Sequence, residues 1–188
     1  MKKNRIPLFE NFNSQLIELK NKLSKYQIDT DKWGKGEAKT LQHLLDEIES
    51  KDCTIQEKNN SILRCVDFVG VDIFYKNLKL KEDKQVFNDG RERRRKMMSS
   101  VAEKMKIGED PLESAIRGIK EELGFDVEVS QIKKLKTMQY KNDSMSYPGL
   151  ITEYNGHRFT LTLNDSQYKD NYVDKQSDKS TYFIWEKI

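Results

Sequence analysis

The sequence predicts an α/β fold with a helical extension at residues 1–51 and a strand-rich domain at residues 52–188. Three observations point to it. Apolar residues recur at helical spacing in the first 51 positions. β-branched and aromatic residues gather in short runs from residue 62 onward. One brief, well-capped helical segment interrupts those runs at residues 110–124, so helix and strand alternate within one domain.

In the extension, Phe9, Phe12, Leu16, Leu19 and Leu23 stand three or four residues apart, which places them on one stripe of a helix over residues 9–26. A second helix is expected from about Glu37 to Ile48, with Leu41, Leu44, Leu45 and Ile48 on one face. Thr30 to Gly36 between them reads as a loop. Cys53-Thr54-Ile55 opens a strand. Val66, Phe68, Val69, Val71, Ile73, Phe74 and Tyr75 make Ile62 to Tyr75 another. Leu78 to Phe87 follows, closed by the turn Asn88-Asp89-Gly90. Further strands are expected at Val127–Tyr140, Gly149–Tyr154, His157–Leu163 and Thr181–Trp185, with Asn155-Gly156 as a hairpin turn between the second and third. The helix at residues 110–124 carries its own punctuation. Asp110 is its N-cap and Pro111 its first residue. Leu112, Ala115, Ile116, Ile119 and Leu123 form its apolar stripe, and Gly124 is its left-handed C-terminal cap.

Composition narrows the function classes. Hydrophobic residues make up 36%, and eight Phe, eight Tyr and two Trp supply enough bulk for a core. A net charge of +3 is too small to imply a nucleic-acid partner. Cys53 and Cys65 are too few for a disulfide framework and too far apart for a metal site. Free thiols suit a reducing compartment, and a cytoplasmic protein is expected. No apolar stretch follows Met1-Lys2-Lys3, so no signal peptide is expected, and no run approaches the roughly 20 residues that span a bilayer. His43 and His157 lack ligand spacing and read as structural. Oligomerisation is compatible with the sequence but not specified by it.

The chemistry lies on the polar side of the 110–124 helix. Glu121 and Glu122 sit near its C-terminal end, where negative charge opposes the macrodipole by a few tenths of a kcal/mol or more. A hard cation such as Mg²⁺ offsets that cost, because carboxylate oxygens are its preferred ligands. Taken alone, the pair also reads as a solvated face. Arg117 stands one turn before Glu121 and can face it. Arg91 to Lys96 holds five cations and one Glu. It is either a solvated run or a phosphate clamp, with Arg93, Arg94 and Arg95 as candidate substrate-binding residues. Tyr140 and Tyr147 either belong to the core or stack on a base.

The stretch Glu103 to Phe125 resembles, in register, the signature G-x5-E-x7-R-E-U-x-E-E-x-G-U of the Nudix hydrolase superfamily, where U is a bulky apolar residue. Glu109, Arg117, Ile119, Glu121, Glu122, Gly124 and Phe125 fit it. The resemblance implies a Nudix-type α/β/α sandwich around a mixed sheet. It implies a box that binds Mg²⁺ or Mn²⁺ and cleaves a diphosphate linkage in a nucleotide or other diphosphate-containing small molecule. Residue by residue, Glu121 and Glu122 resemble metal ligands, and the backbone carbonyl of Ala102 a further metal contact. Glu109 and Arg117 resemble the pair that fixes loop against helix. Many relatives cover the sheet with a final helix, and no helical stretch follows the last strand here. The extension is expected to take that place.

Two positions depart from the signature. Glu103 stands for its first glycine, and Gly118 for the first glutamate of its Arg-Glu pair. Relocation of one carboxylate from position 118 to Glu103 would make Glu103 a catalytic residue beside Arg117, Glu121 and Glu122. Erosion would leave a catalytically inactive module that binds a nucleotide or a protein partner. An additional late acid is expected from Asp170, Asp174 or Asp178, which no motif ranks.

Overall fold

A computed structural model describes residues 8–188. Residues 1–7 lie outside the described residues, as do the side chains of residues 8–12. The reading of the first residues as leaderless, and Phe9 and Phe12 of the apolar stripe, therefore fall outside them. In chain order the elements are α1 (Leu8–Lys25), α2 (Leu41–Glu49), β1 (Thr54–Lys58), β2 (Ser61–Tyr75), β3 (Leu78–Phe87) and β4 (Glu92–Arg93). They continue with β5 (Val101–Lys104), α3 (Pro111–Leu123), β6 (Ile132–Asp143), β7 (Ile151–Thr162), β8 (Tyr172–Lys175) and β9 (Lys179–Lys187). The described residues form two compact units, one of residues up to 66 together with 139–154, the other of residues 67–138 and 155–188.

The first unit is centred on Leu23, Leu44, Val66, Tyr147 and Leu150, all buried. Thr40 caps α2, and His43 completes a reciprocal capping box. The His43 amide donates to the Thr40 hydroxyl, and its ring Nδ1 accepts from the Thr40 amide at 3.1 Å. The helix thus starts at Leu41 rather than Glu37, because the cap fixes where helical backbone begins. Glu47, only 7% exposed, accepts from Arg64 Nη2 at 2.6 Å and from Lys39 Nζ at 2.7 Å. Tyr147 is fully buried, with its ring 5.1 Å from Trp33 and the Arg64 guanidinium 5.3 Å above it. It is a core residue and is closed to a base. β1 and β2 pair antiparallel from Thr54↔Cys65 to Lys58↔Ser61. Asn59 and Asn60, both at positive φ, make the tight turn that joins them.

The second unit carries the box. The sheet runs in the order β6-β7-β2-β3-β9-β8, with β5 paired to β2 and β4 to β3. β2 runs antiparallel to β3 and β5. It runs parallel to β7: Asn155 Nδ2 donates to Asp67 near one end, and the Leu163 amide to the Phe74 carbonyl near the other. This is the mixed sheet the resemblance implied. α3 lies on it through Ala115, Ile119 and Leu123, which share one buried cluster with Val69, Val71 and Ile73. Full burial of Ile119 stabilises that contact by about 1.5–3 kcal/mol. Asp110 accepts from the Leu112 and Glu113 amides and starts the helix. Gly124, at φ 76°, ends it as the sequence predicts.

One expectation fails in an informative way. Asn155-Gly156 is not a turn, and β7 passes straight through it. Gly156 is there for close approach. A Cβ at this position would lie 2.5 Å from the Phe68 ring and 2.8 Å from Met138 Cγ. β6 begins at Ile132 instead of Val127, because a single 3-10 turn at Val129–Gln131 comes first. No described helix is long and apolar enough to cross a membrane.

Candidate functional site

β5, the loop after it and α3 are tied together by one side chain. Arg117 donates from Nε to Glu109 Oε1 at 2.9 Å and from Nη2 to Glu109 Oε2 at 3.1 Å. The same Nη2 reaches the Lys104 carbonyl at 3.1 Å and the Ser114 hydroxyl at 3.3 Å. Glu109 also accepts from the Lys106 amide at 2.8 Å. A bidentate, charge-assisted pair of this kind fixes direction as well as distance. Arg117 holds the Glu109 carboxyl below its ordinary range, with the Lys106 amide assisting. Loop and helix are thereby locked in register.

The remaining Arg117 nitrogen, Nη1, faces two further carboxylates. It lies 3.2 Å from Glu121 Oε2 and 3.5 Å from Glu103 Oε1. Glu103 sits on β5 opposite Val69 and points toward the helix. The two departures from the signature meet there. A Cβ on Gly118 would stand 2.9 Å from Glu103 Cβ and 3.4 Å from its Cγ. The Glu103 side chain thus fills the space that a side chain at 118 would need. Burial pushes the Glu103 carboxyl up, and Glu121 adds to this against the opposing pull of Arg117. Glu122 is pushed up to about 8, first by burial and then by Glu103, Asp174 and Glu82, with Arg95 pulling the other way. Of the three late acids, Asp174 on β8 is the one that acts on Glu122. Asp170 instead accepts from the Tyr168 hydroxyl at 3.2 Å. Glu82, on β3, carries no sequence motif and went unnoticed in the sequence.

The basic run lies against β3. Arg93 donates to Gln85 Oε1 at 2.7 Å from Nη2, Arg94 pairs with Asp83, and Arg95 Nε donates to Glu82 Oε1 at 2.9 Å. It is therefore a paired segment and not a freely solvated one. Ala102 is in β5 beside Glu103, opposite Gly70. Tyr140 stacks on Tyr154, with ring centroids 5.0 Å apart.

Among the described residues, no three His, Cys, Asp or Glu side chains are gathered closely enough to hold a metal ion. Glu103 and Glu121 both face Arg117, and Glu82 is held by Arg95. The donor chemistry nevertheless fits a hard divalent cation: several carboxylates with partly uncompensated charge, and no thiol or imidazole.

No protein-family model matches the chain, and no curated protein matches it. Solved structures do. A MutT protein from Bacillus halodurans is 15% identical, with 65% of this chain and 68% of that one covered and a TM-score of 0.41. A MutT/nudix family protein from Enterococcus faecalis is 12% identical, with 79% and 51% covered and a TM-score of 0.45. The dihydroneopterin triphosphate pyrophosphohydrolase of E. coli is 17% identical, with 65% and 79% covered and a TM-score of 0.42.

Proposed function

We propose that the protein is a metal-dependent hydrolase that cleaves a diphosphate linkage in a nucleoside diphosphate derivative or a nucleoside triphosphate. The observation that carries this reading is the interlock of Glu103 with Gly118. A glutamate lost by erosion leaves an open position on the helix. Here the space is taken by another carboxylate, on β5, within 3.5 Å of the same arginine that faces Glu121.

Glu121 and Glu122 would hold Mg²⁺ or Mn²⁺, with Glu103 and the Ala102 carbonyl beside them. The ion would neutralise phosphate oxygens and lower the pKa of a bound water. Arg117, itself clamped by Glu109, keeps Glu103 and Glu121 on the same side of the helix. Water attacks one phosphorus, the bridging P–O bond breaks, and the leaving phosphate carries the electron pair away. A carboxylate must accept the proton from that water. Glu103 is suited to this because partial burial raises its basicity above that of an ordinary carboxylate. Arg93, Arg94 and Arg95 would bind phosphate oxygens, each worth about 1.5–3 kcal/mol when lost.

The test is a phosphate-release assay on nucleoside triphosphates and nucleoside diphosphate derivatives with Mg²⁺ or Mn²⁺. The parent is expected to turn over at least one of them. Glu103→Gln and Glu122→Gln should lose most of that activity while folding normally. Normal turnover by Glu103→Gln would remove Glu103 from the chemistry. No turnover by the parent on any substrate would favour a Nudix-type module that binds a nucleotide or protein without cleaving it.

A further inference from the structure

β6 is the last strand on its side of the sheet, and no described strand pairs with its outer edge. Ile132 is buried, and Lys133 to Thr137 are all exposed. Such an edge presents backbone N–H and C=O groups with which another extended chain can pair. Successive side chains on a strand point to opposite faces of the sheet. Ile132 shares a buried cluster with Ala115 and Ile119 of α3, so Ile132, Lys134 and Lys136 belong to the face that carries α3. Lys133, Leu135 and Thr137 belong to the other.

Each face has a groove beside this edge. On the α3 face a cavity of about 350 Å³ is lined by Leu112, Val129, Ile132 and Phe159, together with Asp110 and Lys134. On the opposite face a cavity of about 360 Å³ is lined by Ser130, Gln131, Lys133, Thr160 and Thr162. Val129 is 60% exposed and Leu135 56%. Residues 132–138 carry three lysines and no acid. Lys141, further along the strand, pairs with Glu153 at 3.0 Å, whereas Lys133, Lys134 and Lys136 have no carboxylate at salt-bridge distance among the described residues.

These features select one kind of occupant. A second copy pairing antiparallel about Leu135 would set Lys134 against Lys136, and like charges directly opposite are destabilising. A nucleic-acid strand would find no ring on residues 132–138 to stack on, and Phe159 beside them is only 3% exposed. Lysines also guard sheet edges against aggregation, but a guarded edge needs neither an exposed Leu135 nor an apolar groove. An acidic extended peptide satisfies the backbone edge, the lysines and the groove together.

We propose that the edge of β6 at residues 132–138 docks an extended acidic segment of a protein partner, which joins the sheet as a further strand. Its acids stand opposite Lys133, Lys134 and Lys136, and its apolar residues opposite Ile132 and Leu135. The residue opposite Ile132 enters the groove beside the first turn of α3. This surface is independent of the hydrolase reading, because it meets α3 at the end remote from Glu121 and Glu122.

Fluorescence anisotropy with the full chain and a labelled peptide, Thr-Glu-Val-Glu-Glu-Val-Thr, tests the proposal. In antiparallel pairing this peptide sets Glu opposite each lysine and Val opposite Ile132 and Leu135, and its reversed sequence does so in parallel pairing. At least one of the two should bind, and the versions with Lys for every Glu should not. Lys133→Glu combined with Lys134→Glu should weaken binding at least about tenfold and should transfer it to the Lys version. That gain cannot come from a variant that failed to fold. Val129→Ser should weaken the acidic peptide several-fold by thinning the groove. Backbone pairing is read with N-methylated peptides. Methylating the alternate amides that face the edge should abolish binding, and methylating the intervening ones should not. Equal binding by both methylated sets would mean attraction of charge alone and overturns the proposal. Absence of binding by the acidic peptides overturns it as well, and self-association of Lys133→Thr combined with Lys134→Thr would then assign the lysines to guarding the edge. Tighter binding of a single-stranded oligonucleotide of equal charge overturns it in favour of nucleic acid.

Discussion

Replacing Gly118 by Ala sets two effects of known size against each other. Glycine inside a helix costs about 1 kcal/mol relative to alanine, so an open site would be stabilised by that amount. Position 118 is not open. The new methyl group would lie 2.9 Å from Glu103 Cβ, 3.4 Å from Glu103 Cγ and 3.7 Å from Val101 Cγ1. Carbon atoms prefer about 3.5–4.0 Å, so the first contact is too close. It involves a Cβ fixed to the β5 backbone, which cannot swing aside as a side-chain tip would. Overpacking of this kind costs about 1–3 kcal/mol. The net expectation is a loss of about 0–2 kcal/mol. Removing Glu103 reopens the space, so Gly118→Ala made on top of Glu103→Gly should recover the helix gain of about 1 kcal/mol. Urea unfolding of the parent, both single variants and the double variant gives the coupling between the two positions, expected at about 1–3 kcal/mol. Stabilisation by Gly118→Ala in the parent, with coupling below about 0.3 kcal/mol, would show that Glu103 and residue 118 do not share space. The argument for a relocated carboxylate would then lose its basis.

Further outcomes follow from single side chains. The Glu109 carboxyl is held low in the folded state, so its contribution is present above the unfolded value of about 4.3 and is lost as pH falls through the lower folded value. The stability gap between the parent and Glu109→Gln should therefore narrow below about pH 4 in denaturation curves, and a constant gap would contradict the pairing. Arg64→Met removes one cation from the buried Glu47, which keeps its pair with Lys39, and should cost about 3–5 kcal/mol by denaturant unfolding. A loss below about 1 kcal/mol would mean that the pair is solvated in solution. Gly124 ends α3 at φ 76°, so Gly124→Ala should cost about 1–2 kcal/mol by the same measurement, and a neutral result would mean that the helix ends elsewhere.

Local signals were legible in the sequence wherever a residue's role is fixed by its chain neighbours. Asp110, Pro111 and Gly124 mark both ends of α3, because caps act within a few residues of the backbone they satisfy. The Arg117–Glu109 clamp was legible through the resemblance, in which the two residues stand eight positions apart on one loop and helix. Long-range roles were not. Gly156 carries the signature of a turn, yet its reason is the aromatic ring of Phe68 on a strand distant in sequence, next to Asp67, which Asn155 bonds across 88 positions. Glu82 looks like one more acid in the alternating charges of β3, and only the cross-strand register brings it to the face that carries α3. Asp174 is distinguished from Asp170 and Asp178 in the same way, by a four-residue strand too short to announce itself by pattern.

The charge arrangement around α3 bears on stability as well as on chemistry. Glu103, Glu121, Glu122, Glu82 and Asp174 gather near a helix whose C-terminal end is itself negative. Arg117 and Arg95 are the cations that face them, and Arg117 spends its two strongest hydrogen bonds on Glu109. Mutual repulsion within such a group opposes folding, and it adds to the burial that already pushes the Glu122 carboxyl up. A cation that binds only the folded chain adds stability as RT ln(1 + [L]/Kd), about 2.7 kcal/mol at a concentration one hundred times Kd. On the proposed reading, the same residues that make the fold locally unfavourable would make it responsive to a divalent ion.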